Sequence, residues 1–294
     1  MENLEKPKRV MSQTAQIERS IIKKYRKSIW AKFIQAIDEY QLIQEGDKIA
    51  VCISGGKDSM LMAKLFQELQ KHWIIKFETI FLVMDPGYNS LNRQKIEENA
   101  KILGLELQFF ETDIFNAVFK EEEGSPCYLC ARMRRGYLYR EAKDRGCNKI
   151  ALGHHFDDAI ETTLMGMLYG GQIQTMVPKL KSDNVEGMEL IRPMYKIKEE
   201  DIFSWAKHNE LDFIRCACRF TDGVSKNCHD SKRNEMKQLI KELRKVYPLI
   251  DNNIFKSMEN VNVNMVLGYK IGRTKYSFLD RYNDDANKGE NCDE

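Results

Sequence analysis

The six residues Lys48–Ile53 are mostly apolar and run directly into Ser54-Gly55-Gly56-Lys57-Asp58-Ser59; apolar residues then recur at Leu61, Leu65, Phe66 and Leu69. A short apolar run, a glycine pair and a helical period, in that order, predict a buried strand, a tight turn and a helix. This order aims backbone N–H groups and the positive end of a helix at one point, which makes an anion site. Gly55 and Gly56 supply the φ > 0 conformations and close approach that a backbone nest requires. Ser54 and Ser59 add hydroxyl donors, and Lys57 adds a full positive charge. The spacing matches neither G-x-x-x-x-G-K-[ST] nor G-x-G-x-x-G.

The same alternation continues. Strands are predicted at Phe77–Met84, Glu106–Phe110 and Lys149–Leu152, and helices at about Leu91–Leu103, Tyr128–Asp144 and Asp157–Tyr169, with Gly104 placed as a helix C-cap. Strands alternating with helices imply an α/β fold with a Rossmann-like open parallel sheet covered by helices on both faces. The expected organisation is a basic helical N-terminal segment (1–45), a catalytic domain (46–220), a helical C-terminal region (221–272) and a polar, structureless tail (273–294). The N-terminal helix is read over 17–41, with Ile22, Tyr25, Ile29, Phe33, Ile37 and Tyr40 on its apolar side and Lys23, Lys24, Arg26, Lys27 and Lys32 on the other.

Ser-Gly-Gly-x-Asp-Ser directly after a buried strand resembles the PP-loop of the ATP pyrophosphatases, whose fold is that of the adenine nucleotide α-hydrolases. The resemblance implies that Ser54, Gly55, Gly56, Lys57, Asp58 and Ser59 hold ATP phosphates, with Lys57 and Asp58 catalytic. Ala151–Asp158, ALGHHFDD, resembles the G-H-x-x-D-D segment of PP-loop enzymes that modify tRNA. It implies that Gly153, His154 and Asp158 lie near the phosphates and Mg²⁺, with Asp158 catalytic. Helix capping is the competing role for Asp157 and Asp158. Asp85, at the end of the second strand, is a further nucleotide-rim residue or a turn residue.

Eight cysteines are many for a chain read as cytoplasmic, where a disulfide framework is not expected. Cys52, in an apolar run, is read as buried, Cys147, in a turn-like RGCNK, as having no partner, and Cys292 sits in a polar stretch. Cys127-Tyr128-Leu129-Cys130 is a C-x-x-C pair, a spacing shared by redox dithiols, half-sites for zinc and iron–sulfur ligands. The later cysteines, Cys216, Cys218 and Cys228, are a poor match for a second zinc knuckle.

PCYLCARMRRGYLYREA resembles the PC-x-LC-x-R-x-RRG segment of the TtcA family, the tRNA 2-thiocytidine synthetases. KIALGHHFDD, LYGGQIQTMVPKLKSD and IRPMYKIKEEDI extend the resemblance over most of residues 45–220. It implies a 4Fe–4S cluster held by Cys127, Cys130 and Cys216, with Cys218 or Cys228 as fallback ligands because the loop departs from the family spacing. It also implies adenylation of a cytidine at tRNA position 32 and replacement of its C2 oxygen by sulfur. A persulfide on one cysteine, a cluster-free PP-loop ligase and a zinc-bearing RNA-binding protein are the competing readings.

Net charge is only +2, but residues 1–33 carry nine Lys/Arg against three Asp/Glu. That end, and Arg132, Arg134 and Arg135 after the cysteine pair, are expected to contact RNA. The expected partners are tRNA, a sulfur donor such as a cysteine desulfurase or inorganic sulfide, and a second copy of the chain. No run of about 18 uncharged apolar residues is present, and the N-terminus lacks the apolar core of a signal peptide.

Overall fold

A computed structural model describes residues 11–112, 126–214 and 232–282, apart from the side chains of 126–132. Cys216, Cys218 and Cys228, and the side chains of Cys127, Cys130 and Arg132, lie outside the described residues. These residues form two compact units that divide between Gln238 and Leu239.

The first unit is built on a six-stranded sheet in the order β3-β2-β1-β4-β6-β5. Its strands are β1 (Lys48–Ile53), β2 (Glu78–Asp85), β3 (Leu107–Glu111), β4 (Lys149–Ala151), β5 (Lys179–Lys181) and β6 (Glu189–Ile191). All neighbours are parallel except β5, which closes one edge antiparallel to β6. The helices are α1 (Gln13–Arg19), α2 (Ala31–Glu39), α3 (Lys57–His72), α4 (Ser90–Leu103), α5 (Pro126–Asp144), α6 (Phe156–Leu168), α7 (Glu199–His208) and α8 (Lys232–Val246), the last running across the division between the units.

Alternation along β1 separates two cores. Ile49, Val51 and Ile53 face one that contains Phe33, Leu61, Phe66, Leu103 and Trp205; Ala50 and Cys52 face another with Leu138, Tyr139, Ala142 and Leu190. Helices therefore cover both faces, as expected of an α/β sheet. The chain lays β2 and β3 on one side of β1 and β4 on the other. The reversal opens a crevice between the carboxyl ends of β1 and β4, the usual place for a ligand in open α/β sheets.

The N-terminal segment is part of this core. Ile17, Ile21, Tyr25, Ile29, Phe33 and Ile37 are all buried. On a helix of 3.6 residues per turn, a stripe of period four drifts by roughly 40° at each step. Two wide π turns, Ser20–Lys24 and Arg26–Trp30, join α1 to α2 and take up that drift. Lys23, Lys24, Arg26, Lys27 and Lys32 remain exposed on the opposite side. Lys64, fully buried on α3, donates to Glu18 at 2.8 Å and to the Leu103 carbonyl at 2.9 Å, tying α1 and α4 to α3.

The second unit contains α9 (Ile250–Ser257), the hairpin β7 (Gly268–Ile271) and β8 (Thr274–Ser277), and α10 (Leu279–Tyr282). Part of the segment expected to be a structureless tail is therefore ordered. The correction has a local cause. Gly272, at φ 60°, and Arg273 make a two-residue turn between strands whose Tyr269 and Tyr276 rings stack 4.9 Å apart. Among the described residues, no helix is long and apolar enough to cross a membrane.

Candidate active site

The turn after β1 is fixed by its own backbone. Gly55 adopts φ 83°, a left-handed conformation costly for any residue with a Cβ. A Cβ there would also lie 2.6 Å from both Ile214 and Ile96. The Ser54 N–H donates to Ser59 Oγ at 3.1 Å, and Ser59 Oγ donates to the Gly56 carbonyl at 3.0 Å. The Ser59 proton is thus committed to holding the loop. The Ser54 hydroxyl lies 3.1 Å from Ser59 Oγ and is exposed at the mouth. Gly56 caps α3, so the first N–H groups of a 16-residue helix open toward the crevice.

The segment after β4 meets this loop. A Cβ on Gly153 would stand 3.2 Å from the Ser59 amide nitrogen and 3.3 Å from the Asp58 carbonyl carbon, so glycine is what lets the two loops touch. Between them lies a pocket of about 520 Å³ lined by Ser54, Asp58, Ser59, Gly153, His154 and Asp158, a size suited to a small ligand. Met84, Leu138, Arg134, Arg135 and Arg192 also line it.

Lys57 Nζ lies 3.0 Å from Asp58 and 3.1 Å from Glu199, and 4.4 Å from the centre of the Phe203 ring. Its side chain lines a second cavity, about 650 Å³, with Gly56, Phe203 and Ile214; Asp58 lines both cavities. In this state the lysine is neutralised by carboxylates.

Asp158 joins capping to charge pairing. Its Oδ2 accepts the His155 N–H at 3.0 Å and its Oδ1 accepts from Arg233 at 2.7 Å. Burial pushes this carboxyl up, but the neighbouring histidines, the backbone donor and Arg233 outweigh it and hold it below the usual range. Asp157 caps α7 instead, accepting the Glu199 N–H at 2.7 Å. His154 lines the pocket; burial drives its imidazole down to about 4 and its Nδ1 has no hydrogen-bond partner among the described residues. It is therefore neutral at pH 7. His155 is buried beside Asp58, Asp157, Asp158 and Glu199.

Sequence reasoning missed the charged groups behind this wall. Glu161, 2% exposed, lies 3.4 Å from Arg233 and 3.8 Å from Lys237; burial raises its carboxyl to about 7. Lys237 also pairs with Glu199 at 3.1 Å. The chain of pairs Lys57–Glu199–Lys237–Glu161–Arg233–Asp158 thus links the glycine loop to α8. Its members come from four separate helices, and only the fold brings them together. Asp85 sits at the carboxyl end of β2, as expected for a rim residue. Its carboxylate accepts from the N–H groups of Gly87 and Tyr88 and from Arg93, the geometry of a turn.

Arg134 and Arg135 reach the pocket from α5, whose first turn contains positions 127 and 130. Arg135 also lines a groove of about 850 Å³ with Arg140, Lys143 and Lys181. Cys52 and Cys147 are buried free thiols, and burial pushes Cys52 up to about 12, so both are inert. Among the described residues, no group of three His, Cys, Asp or Glu is arranged to hold a metal.

A glycine nest at the switch point of a parallel sheet, touching a second acidic helix start, defines a nucleotide-binding domain of the PP-loop class. Residues 26–242 match the PP-loop domain family. A tRNA-cytidine(32) 2-sulfurtransferase of Geotalea uraniireducens is 34% identical over 240 residues, covering 81% of this chain and 92% of that protein. One from Hahella chejuensis is 36% identical over 252 residues, covering 85% and 86%. The U34-tRNA thiolase NcsA from Methanococcus maripaludis, solved with its 4Fe–4S cluster, shares the fold at a TM-score of 0.63 and 22% identity, over 86% of this chain and 83% of that one. The chain belongs to the tRNA-cytidine(32) 2-sulfurtransferase family of PP-loop proteins.

Proposed function

We propose that this protein uses ATP to activate cytidine 32 of tRNA and replaces its C2 oxygen with sulfur, with a 4Fe–4S cluster on Cys127, Cys130 and Cys216. One observation carries the reading. The pocket that holds Ser54, Asp58 and Gly153 is also walled by Arg134 and Leu138 of α5. Positions 127, 130, 134 and 138 share one stripe of that helix by spacing. That spacing supports a cysteine pair on the side of the helix that carries Arg134 and Leu138. Ile214, two residues before Cys216 in the chain, lines the neighbouring cavity with Gly56 and Lys57.

The donor set suits the cluster. Two cysteines three apart in the first turn of a helix meet its positive end, which favours thiolates. A cluster held by Cys127, Cys130 and Cys216 would supply the sulfur for the activated carbon.

Oxide is a poor leaving group, so the base must be primed. Cytidine O2 attacks the α-phosphorus of ATP and pyrophosphate leaves onto the Ser54–Gly56 nest and Lys57, where N–H groups and charge stabilise it. Asp58 and Asp158 face the phosphates and would hold Mg²⁺. Sulfur then bonds to C2, and the oxygen departs with AMP. Arg132, Arg134 and Arg135 follow the RNA backbone, and the base is splayed into the pocket. The reaction takes place in the cytoplasm, in a homodimer supplied by a cysteine desulfurase or by sulfide.

Nucleoside analysis of tRNA from a strain lacking the gene tests this reading. Loss of 2-thiocytidine, restored by the wild-type gene, is expected. Unchanged thiocytidine would remove the proposal.

A further inference from the structure

Arg192 follows β6 directly, at the carboxyl end of the sheet, and lines the pocket with Ser54, Gly153, His154 and Asp158. It is 6% exposed. Its Nη1 donates to the Val177 carbonyl, while its buried Nε has no partner among the described residues. Among those residues, no carboxylate lies within ion-pair distance of it, whereas Lys57, Arg233 and Lys237 nearby each pair with one. Burial pulls its guanidinium down to about 10; Tyr195, Tyr139 and Asp158 oppose this only in part, and nearby Arg135 adds to it.

A buried guanidinium with no carboxylate at ion-pair distance is costly, and the one carbonyl it meets offsets only part of that. A ligand anion would offset the rest. The planar fork of arginine suits a tetrahedral oxyanion, and phosphate is the anion that a PP-loop pocket receives. Position decides which phosphate. The Ser54–Gly56 nest lies at the end of β1, and β6 is two strands away, roughly 10 Å at ordinary strand spacing. An arginine reaching back over β4 meets the phosphate beside the pair gripped by the nest. His154, neutral and uncharged, lies in the wall that both share.

We infer that Arg192 binds the α-phosphate of the nucleotide and stays on it after pyrophosphate leaves. The assignment rests on the nucleotide reading of the pocket. It gives the arginine two tasks: stabilising charge on the α-phosphoryl group during adenylation, and holding AMP as it departs from the base. The loops release pyrophosphate first, and the buried guanidinium keeps the adenylyl group in place.

Calorimetric titration of Mg·ATP, AMP and inorganic pyrophosphate into wild type, Arg192→Lys and Arg192→Met tests it. Loss of a charge-assisted contact is expected to weaken AMP and ATP by roughly tenfold or more in Arg192→Met. Pyrophosphate binding stays unchanged, and Arg192→Lys falls between. Nucleotide-free Arg192→Met melts no lower than wild type, because a buried unpaired charge has gone. Equal AMP affinity in all three proteins would overturn the assignment, as would a loss confined to pyrophosphate. Failure of the wild type itself to bind ATP or AMP would remove the nucleotide reading of the pocket along with it.

Discussion

Gly153 approaches Ser59 so closely that a Cβ on it would stand 3.2 Å from the Ser59 amide nitrogen. Both neighbouring atoms are backbone, so neither gives way cheaply. Gly153→Ala is expected to push the two loops apart at a cost of about 1–3 kcal/mol. Titration calorimetry with Mg·ATP should show weaker binding than wild type while circular dichroism stays native. An unchanged affinity would show that the contact does not shape the nucleotide site.

Lys57 is expected to leave Asp58 and Glu199 for the phosphates once ATP binds. Lys57→Met should slow pyrophosphate release by roughly 100-fold or more, the usual loss when a charged donor at a developing oxyanion is removed. A tRNA-dependent pyrophosphate assay reads this. A rate within a few-fold of wild type would leave Lys57 as the structural partner of Glu199 that the ligand-free geometry shows.

The burial of His154 has a signed consequence for stability. Its folded-state value, about 4, lies below the ordinary 6.5. The unfolded chain therefore binds more protons in that interval. The stability tied to the neutral imidazole is present above pH 6.5 and is lost as pH falls toward 4, on the order of 1–3 kcal/mol. His154→Asn should flatten this part of the acid limb in denaturant titrations from pH 7 to 4. Equal acid slopes in the two proteins would contradict a buried neutral His154.

Cysteines are expected to divide into two groups. Cys127→Ser or Cys130→Ser should abolish bound iron after anaerobic reconstitution while Mg·ATP still binds. Cys52→Ala and Cys147→Ala, whose thiols are buried and inert, should retain iron. Elemental analysis makes the comparison. Iron retained in the first pair, or zinc found in its place, would set the cluster assignment aside.

What the sequence shows plainly here is what is local. Lys48–Ile53, its glycine turn and α3 are consecutive, so one strand period and one helical period expose them. Gly104 ends α4 at φ 66° through contacts within a few residues. Strands β5 and β6 have three residues each, too few for any period; β6 forms on the edge that β4 offers, and β5 on the edge of β6. The N-terminal helix was legible as amphipathic, but its period of four gave no sign of the π turns, and its basic face drew attention from the side that fills the core. Glu161, Arg233 and Lys237 were not legible at all, and Arg192 stood unremarked inside a quoted motif. Each is an ordinary charged residue in sequence and becomes informative only when folding brings it beside groups many residues away.

Thiolation by the purified chain tests the central claim most directly. Anaerobically reconstituted protein, unmodified tRNA, Mg·ATP and a sulfide source should yield 2-thiocytidine at position 32, with AMP and pyrophosphate formed in step with it. Product should vanish when ATP is omitted or when Cys130 is replaced by Ser. ATP hydrolysis without thiocytidine, or thiocytidine formed equally well by the Cys130→Ser protein, would contradict the account.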